Sequence, residues 1–392
     1  MRKHCFDIPE GIVYLDGNSL GPPATTTAQR VDHTVMDEWR KLLIKGWNEA
    51  GWYMQPRTLG DRIAPLIGAA PGTVVLGDTL SIKIYQALAA ALTMRPDRRV
   101  ILSDKGNFPT DLYMAEGLIK TLDQDYKLRL VEPETVEDHL DESVAALMLT
   151  QVDYRTGRLH DMAGLTQKAH ANGIVTIWDL AHSAGAIPVN LQGCNPEFAA
   201  GCTYKYLNAG PGAPAFIYVR PDIADDIEPA LSGWMGHAAP FGFETTYKAA
   251  PSIERMRVGT PSVLQMAALD AALDVWDGVS MDDIRVQSIE LSELFIHEVQ
   301  SRCSQLTLIS PRDPEQRGSQ VSFAFSDGYA AMQALIAQGV IGDFRAPNVM
   351  RFGFTPLYLD KDDVQRAVDI LADIMTNRLW DTEEFKMQKA VT

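Results

Sequence analysis

Short apolar, β-branched runs alternate along the first two-thirds of the chain with longer segments whose apolar positions recur every three to four residues. The runs fall at 100–103, 128–131, 144–150, 174–178 and 216–219, each bounded by Gly, Pro, Asp or Asn. The longer segments predict helices over 81–92, 110–121 and 162–171. Asp161 is placed to cap the last of these and Asn172-Gly173 to stop it. Near-continuous apolar strands alternating with helices predict an α/β fold with a mostly parallel central sheet covered by helices on both faces.

The pattern changes near residue 260. Two helices are predicted over 264–275 and 281–302, the second with Ile284, Leu291, Leu294, Phe295 and Val299 along one stripe. Strand-like 320–325, helical 330–338, strand-like 349–354 and a final helix near 361–379 follow. Few strands with helices beside them predict a small α+β domain. The segment 25–43 reads as helical and precedes the alternating region. The expected organisation is therefore an N-terminal segment, 1–45, packing with a small C-terminal domain, 263–392, around a large α/β domain, 46–262.

Composition narrows the functional classes. The 392 residues are 46% hydrophobic, enough for a sizeable core, and 29 Gly and 22 Pro are unremarkable. With 35 basic against 51 acidic residues the formal charge is −16, which would repel a phosphate backbone, so nucleic acid is not an expected partner. Cys5, Cys194, Cys202 and Cys303 show neither zinc-site nor disulfide-framework spacing. The start of the chain has no signal-peptide pattern, and no apolar run reaches the ~18 residues of a bilayer span. A cytoplasmic protein without a membrane partner or a metal is expected.

Two stretches carry the candidate chemistry. In 174–182 a buried strand runs into Asp179 and, three residues later, His182. Open α/β sheets bind ligands at the carboxyl ends of their strands. Asp179 reads either as a cap on the next turn or as the partner of a cationic ring nitrogen, and His182 either as a structural or a site histidine. In 198–212 Lys205 stands between Tyr204 and Tyr206, after small residues and before a Gly-rich turn. A desolvated lysine offers a free amine for Schiff-base chemistry, whereas most lysines simply snorkel from a strand end. Together an acid and a lysine at two strand ends suit pyridoxal 5'-phosphate, whose ring needs a protonated nitrogen. Its phosphate would need an anion site. The stretch Gly77-Asp78-Thr79-Leu80-Ser81 before a helix offers one, although Asp78 or Thr79 could equally be an ordinary N-cap.

The segments LDGNSLG (15–21), NFPTDLY (107–113), IWDLAHSAGA (177–186), GCTYKYLNAGPG (201–212), LSGWMGH (231–237) and IGDFRAPNVMRFGFTPLY (341–358) resemble, in order and over nearly the whole chain, those of kynureninases of the bacterial type. The resemblance implies a fold-type-I pyridoxal-phosphate enzyme. In it Lys205 would be the Schiff-base lysine and Asp179 the partner of the pyridine nitrogen, with His182 supporting the ring. Phe108 would stack on the ring with Asp111 close by. Leu80, Ser81 and Tyr204 would reach the phosphate, and Tyr204 would also assist a protonation. Trp234 and Thr260 would enter the site from the neighbouring subunit of a homodimer. Arg351 would clamp the substrate carboxylate, and Ser19 and Trp47 would lie near its aromatic end. Ala209 departs from the family, which commonly has a second glycine there.

The implied reaction is hydrolysis of L-kynurenine to anthranilate and L-alanine, in tryptophan and kynurenine catabolism. Kynurenine is expected to be preferred to its 3-hydroxy form, which could also be accepted. Other fold-type-I enzymes, such as class V aminotransferases and cysteine desulfurases, share the Asp–His–Lys layout, and a non-catalytic scaffold on the same fold is a further alternative.

Overall fold

The computed structural model describes residues 2–388. Strand β1 (Val13–Tyr14) precedes the seven strands of a large sheet: β2 (Val74–Leu76), β3 (Val100–Asp104), β4 (Lys127–Val131), β5 (Val144–Thr150), β6 (Val175–Asp179), β7 (Phe198–Gly201) and β8 (Phe216–Val219). Then come β9 (Thr307–Leu308), β10 (Gln320–Ala324), β11 (Val340–Ile341), β12 (Asp343–Arg345) and β13 (Val349–Gly353).

The large sheet has the order β2-β8-β7-β6-β5-β3-β4. The pairs from β7 through β6, β5 and β3 to β4 are parallel, and β8 and β2 join antiparallel at one edge. The 216–219 run was therefore correctly read as a strand, but it reverses direction. β5 and β6 are buried along their whole length. Alternate side chains feed two cores. Val175 and Ile177 enter one, with the helices Leu80–Met94 and Pro109–Leu122; Trp178 enters the other, which continues into the C-terminal part of the chain. The helix Met162–Ala171 has the expected cap, Asp161 accepting from the Gly164 amide at 3.0 Å.

The second sheet, β12-β13-β10-β9, is antiparallel, and β1 pairs in parallel with β11. The N-terminal strand thus reaches the C-terminal half. The helix expected over 25–43 is interrupted: Thr27–His33 is α-helical, Thr34–Trp39 widens to a π-helix, Arg40–Leu42 closes it, and Leu43 turns left-handed at φ 52°. Among the described residues no helix is long and apolar enough to cross a membrane.

The topology brings the carboxyl ends of β3, β5, β6 and β7 to one edge. There Asp104, Thr150, Asp179 and the loop after Gly201 meet.

Candidate active site

Asp179 ends β6, and its backbone pairs with Thr150 of β5 and Ala200 of β7. Its carboxylate accepts from the Ala181 amide at 2.7 Å and from the Thr150 hydroxyl at 3.3 Å. It therefore caps the following turn, as one of the two sequence readings has it, and lies at the carboxyl edge of the sheet. Leu180 donates its amide to Ala200, which keys the 180–186 turn to β7. That turn presents His182. From the end of β7, Lys205 returns its amine to 2.8 Å from His182 Nε2.

Asp179 and His182 are buried, and Lys205 is half-buried beside them. Burial pushes the Lys205 amine below the ordinary lysine range, although Cys202 and Asp179 oppose this. Burial and the neighbouring Lys205 hold His182 well below its usual value. Asp111, in the first turn of the helix Pro109–Leu122, is 1% exposed; burial and the nearby Asp179 push its carboxyl well above the usual range. Burial also raises Asp179, with Lys205 opposing. Asp179 has an amide, a hydroxyl and an amine around it, while Asp111 Oδ2 has no partner. Of this acid pair, Asp111 is the one whose anion its surroundings disfavour more strongly, and Asp179 the one with polar partners for a charge.

The surrounding polar groups fix these elements. Thr150 donates to Asn107 Oδ1 at 2.5 Å, Asn107 donates to Ser103, and the Phe108 amide donates back to Asn107. Phe108 caps the helix that carries Asp111, and its partly exposed ring meets Tyr154 edge-on. Tyr204 is half-buried, its phenol raised by burial and by Cys202, so it stays protonated. Gly21 donates its amide to the Tyr204 carbonyl at 2.8 Å, which lays the 15–21 segment against the lysine loop.

A second cluster lies beside the first. Arg351, 1% exposed, grips Asp343 in a bidentate pair, with Nε at 2.6 Å from Oδ1 and Nη2 on Oδ2. Its remaining contacts are the Tyr154 carbonyl and, at 2.9 Å, the Ser19 hydroxyl. Arg345 Nη2 reaches Asp343 at 2.8 Å. Asp16, raised to about 7 by burial and by Asp343, completes the group.

Leu80 and Ser81 open the helix Leu80–Met94. Thr79 holds the cap position, but its side chain makes no capping bond, so the ordinary capping box weighed for this stretch is not formed. Trp234 and Thr260 lie exposed, and Trp47 is half-buried edge-on to Trp52. Among the described residues none of these three shares a hydrogen bond or ring contact with the lysine cluster.

Sequence reasoning missed Thr150, Asn107, Tyr154, Arg345 and Asp343. Only Asp343 left a signal: it faces Arg351 across the antiparallel β12–β13 ladder, an acid and a base eight positions apart around Pro347-Asn348.

The chain's fold is that of a C-DES variant described as having glycine covalently linked to its PLP cofactor (TM-score 0.82, 18% identity, 95% of this chain and 99% of that one). It is also that of a cysteine desulfurase from Escherichia coli (TM-score 0.79, 18% identity, 96% and 98%). The class is thus the fold-type-I architecture of pyridoxal-phosphate-dependent enzymes. Residues 284–371 match the family model of the kynureninase C-terminal domain. Proteins named kynureninase from Burkholderia pseudomallei (strain 1106a) and Pseudomonas fluorescens are 49% and 47% identical to this chain, each over 99% of it and 95% of the relative. The chain belongs to the kynureninase family.

Proposed function

We propose that the protein is a pyridoxal-phosphate-dependent hydrolase that cleaves L-kynurenine to anthranilate and L-alanine. The observation that carries this is the half-buried Lys205 amine beside His182 at the carboxyl edge of the sheet, with the buried Asp179 carboxyl next to it. The residues present suit the cofactor. Asp179 is a buried carboxyl whose ionised form a protonated ring nitrogen would balance. His182 Nδ1 is buried without a partner, and the first helix turn after Thr79 lacks a side-chain cap.

In this reading Lys205 holds the cofactor and Asp179 its ring nitrogen. His182 and Phe108 flank the ring, Asp111 supports Asp179, and Leu80, Ser81 and Tyr204 take the phosphate. When bound, the cofactor supplies an electron sink for bonds at the substrate α-carbon. Lys205, whose ammonium burial disfavours, takes the proton from that carbon as the free amine. Water adds to the ketone carbon as the Cβ–Cγ bond breaks, giving anthranilate, and Tyr204, held protonated, assists delivery of a proton to the β-carbon that leaves in L-alanine. Arg351 and Arg345 bring two positive charges against one firm anion, Asp343, which leaves one charge for the substrate carboxylate. Ser19 shares that pocket, and Trp47 serves the aromatic end.

Trp234 and Thr260 serve the site of a second copy, in a homodimer. In support, Trp39, Leu43, Ile44, Trp234, Phe241 and Phe243 expose large apolar surface on the single chain. The division into 1–45, 46–262 and 263–392 is supported by the β1–β11 pairing and the two separate sheets. Four unpaired cysteines suit a reducing cytoplasm, and the role is in kynurenine catabolism. The test is anthranilate release from L-kynurenine by the purified chain, with and without added cofactor. Release that needs both supports the reading, and no release with cofactor bound overturns it.

A further inference from the structure

Lys83 stands in the first turn of the helix Leu80–Met94 and is fully buried. A cation there works against the helix dipole, and a buried one is costly to desolvate. Helix stability alone gives no reason for it. Its amine donates to Asp78 Oδ2 at 3.2 Å, Gln86 Oε1 at 3.0 Å and the Met256 carbonyl at 2.9 Å. An ammonium has three N–H groups, and here three acceptors use them all. Gln86 also donates its amide to the Met256 carbonyl at 3.2 Å, which fixes its oxygen toward Lys83.

Asp78 is a non-glycine residue at φ 54°. Such a backbone persists only where its surroundings over-determine it. The Asp78 carbonyl accepts from the Ala215 amide at 3.1 Å, and Gly77 donates to the Ala215 carbonyl at 3.0 Å, so β8's approach holds the turn from one side. Lys83 holds it from the other through the Asp78 carboxylate. The turn so held delivers Thr79, Leu80 and Ser81 at a helix start that has no side-chain cap.

Resting on the cofactor reading above, we propose that Lys83 is a positioning residue for the cofactor's phosphate: it fixes the 77–81 turn that presents the helix amides and sets a buried positive charge behind them. Charge and shape then act on the phosphate alone and leave the aldehyde end untouched.

The experiment compares two probes on the full-length chain freed of cofactor, pyridoxal 5'-phosphate and pyridoxal, each titrated by the visible band of the bound aldehyde. In Lys83→Met pyridoxal phosphate should bind about tenfold more weakly while pyridoxal binds as in the parent. An unchanged ratio between the two probes, or equal loss of both, overturns the proposal. If Lys83→Met does not fold, Asp78→Asn keeps the ammonium and removes the charge it pins. A smaller fall in the same ratio is expected, and an unchanged ratio again overturns the proposal. A parent chain that binds neither probe would instead overturn the cofactor reading.

Discussion

The Lys205 amine lies 2.8 Å from Nε2 of His182; the imidazole is buried, Lys205 is half-buried, and burial disfavours the charged form of each. Burial that works against both cations side by side raises the share of free amine that can react. Lys205→Ala should lower anthranilate release by at least about 1,000-fold, the scale of losing a positioned base. It should also abolish a borohydride-sensitive visible band. Activity near that of the parent would remove Lys205 from the chemistry.

Arg351 and Asp343 make the next test. Removing one partner of a buried bidentate pair strands the other charge, a loss of about 3–5 kcal/mol. Arg351→Ala should therefore destabilise the fold by that order in a denaturant titration. Arg351→Lys keeps the charge but cannot reproduce the fork that meets Asp343, Ser19 and Tyr154. It should lower kcat/KM for L-kynurenine mainly through KM. A fall confined to kcat would argue against a carboxylate clamp.

The legible parts of the molecule were those in which local pattern and global burial agree. Val144–Thr150 is apolar up to its last residue because both faces of β5 are covered, and Met281–Arg302 shows its stripe because one face packs. β2, with three residues, was not singled out as a strand, and β7 was read only as a strand end before Lys205, since Phe198–Gly201 is mostly small residues without the β-branched signal. Asp179, His182 and Lys205 stood out because each sits at a strand end or in a marked motif. The groups that tune them did not. Thr150 and Lys83 act through partners such as Asn107 and Met256, whose nearness only the fold creates. Trp234 and Thr260 lie exposed on a single chain, and their assignment still rests on family resemblance.

Gly21 is a steric test of the lysine loop. A Cβ there would come within 2.3 Å of the Lys205 carbonyl and 2.8 Å of Asn208 Cα, both backbone atoms that cannot rotate away. Gly21→Ala should destabilise the fold by about 1–3 kcal/mol, the usual cost of overpacking. It should also weaken cofactor retention, since the loop that must move carries Lys205. Gly51→Ala, whose Cβ meets nothing within 4 Å, serves as the control for added bulk, though at φ 73° it has its own backbone strain.

Substrate preference follows from the expected pocket. A 3-hydroxyl placed against the indole of Trp47 would lose its water without gaining a partner. The ratio of kcat/KM for L-kynurenine to that for 3-hydroxykynurenine should exceed one, by about tenfold if the hydroxyl is fully desolvated. A ratio below one would show that a polar group receives it.

Asp16 supplies a pH test whose sign is fixed. Burial and the nearby Asp343 raise it from 3.8 to about 7, while Ser19, Arg351 and Arg345 pull the other way; Tyr14, Tyr206 and Tyr358 also lie near it. Below about pH 4 the carboxyl is protonated in folded and unfolded chains alike, and the folded state carries no penalty from it. Between about pH 4 and 7 the unfolded chain has released the proton while the folded chain keeps it, so stability falls as pH rises. Above about pH 7 the folded protein holds a buried anion next to Asp343. Asp16→Asn cannot ionise and escapes that loss. Its melting temperature relative to the parent should therefore climb from about pH 4 to about pH 8. A difference that stays flat, or that shrinks with rising pH, would mean Asp16 is already ionised in the folded protein at low pH, held there by Arg345 and Arg351.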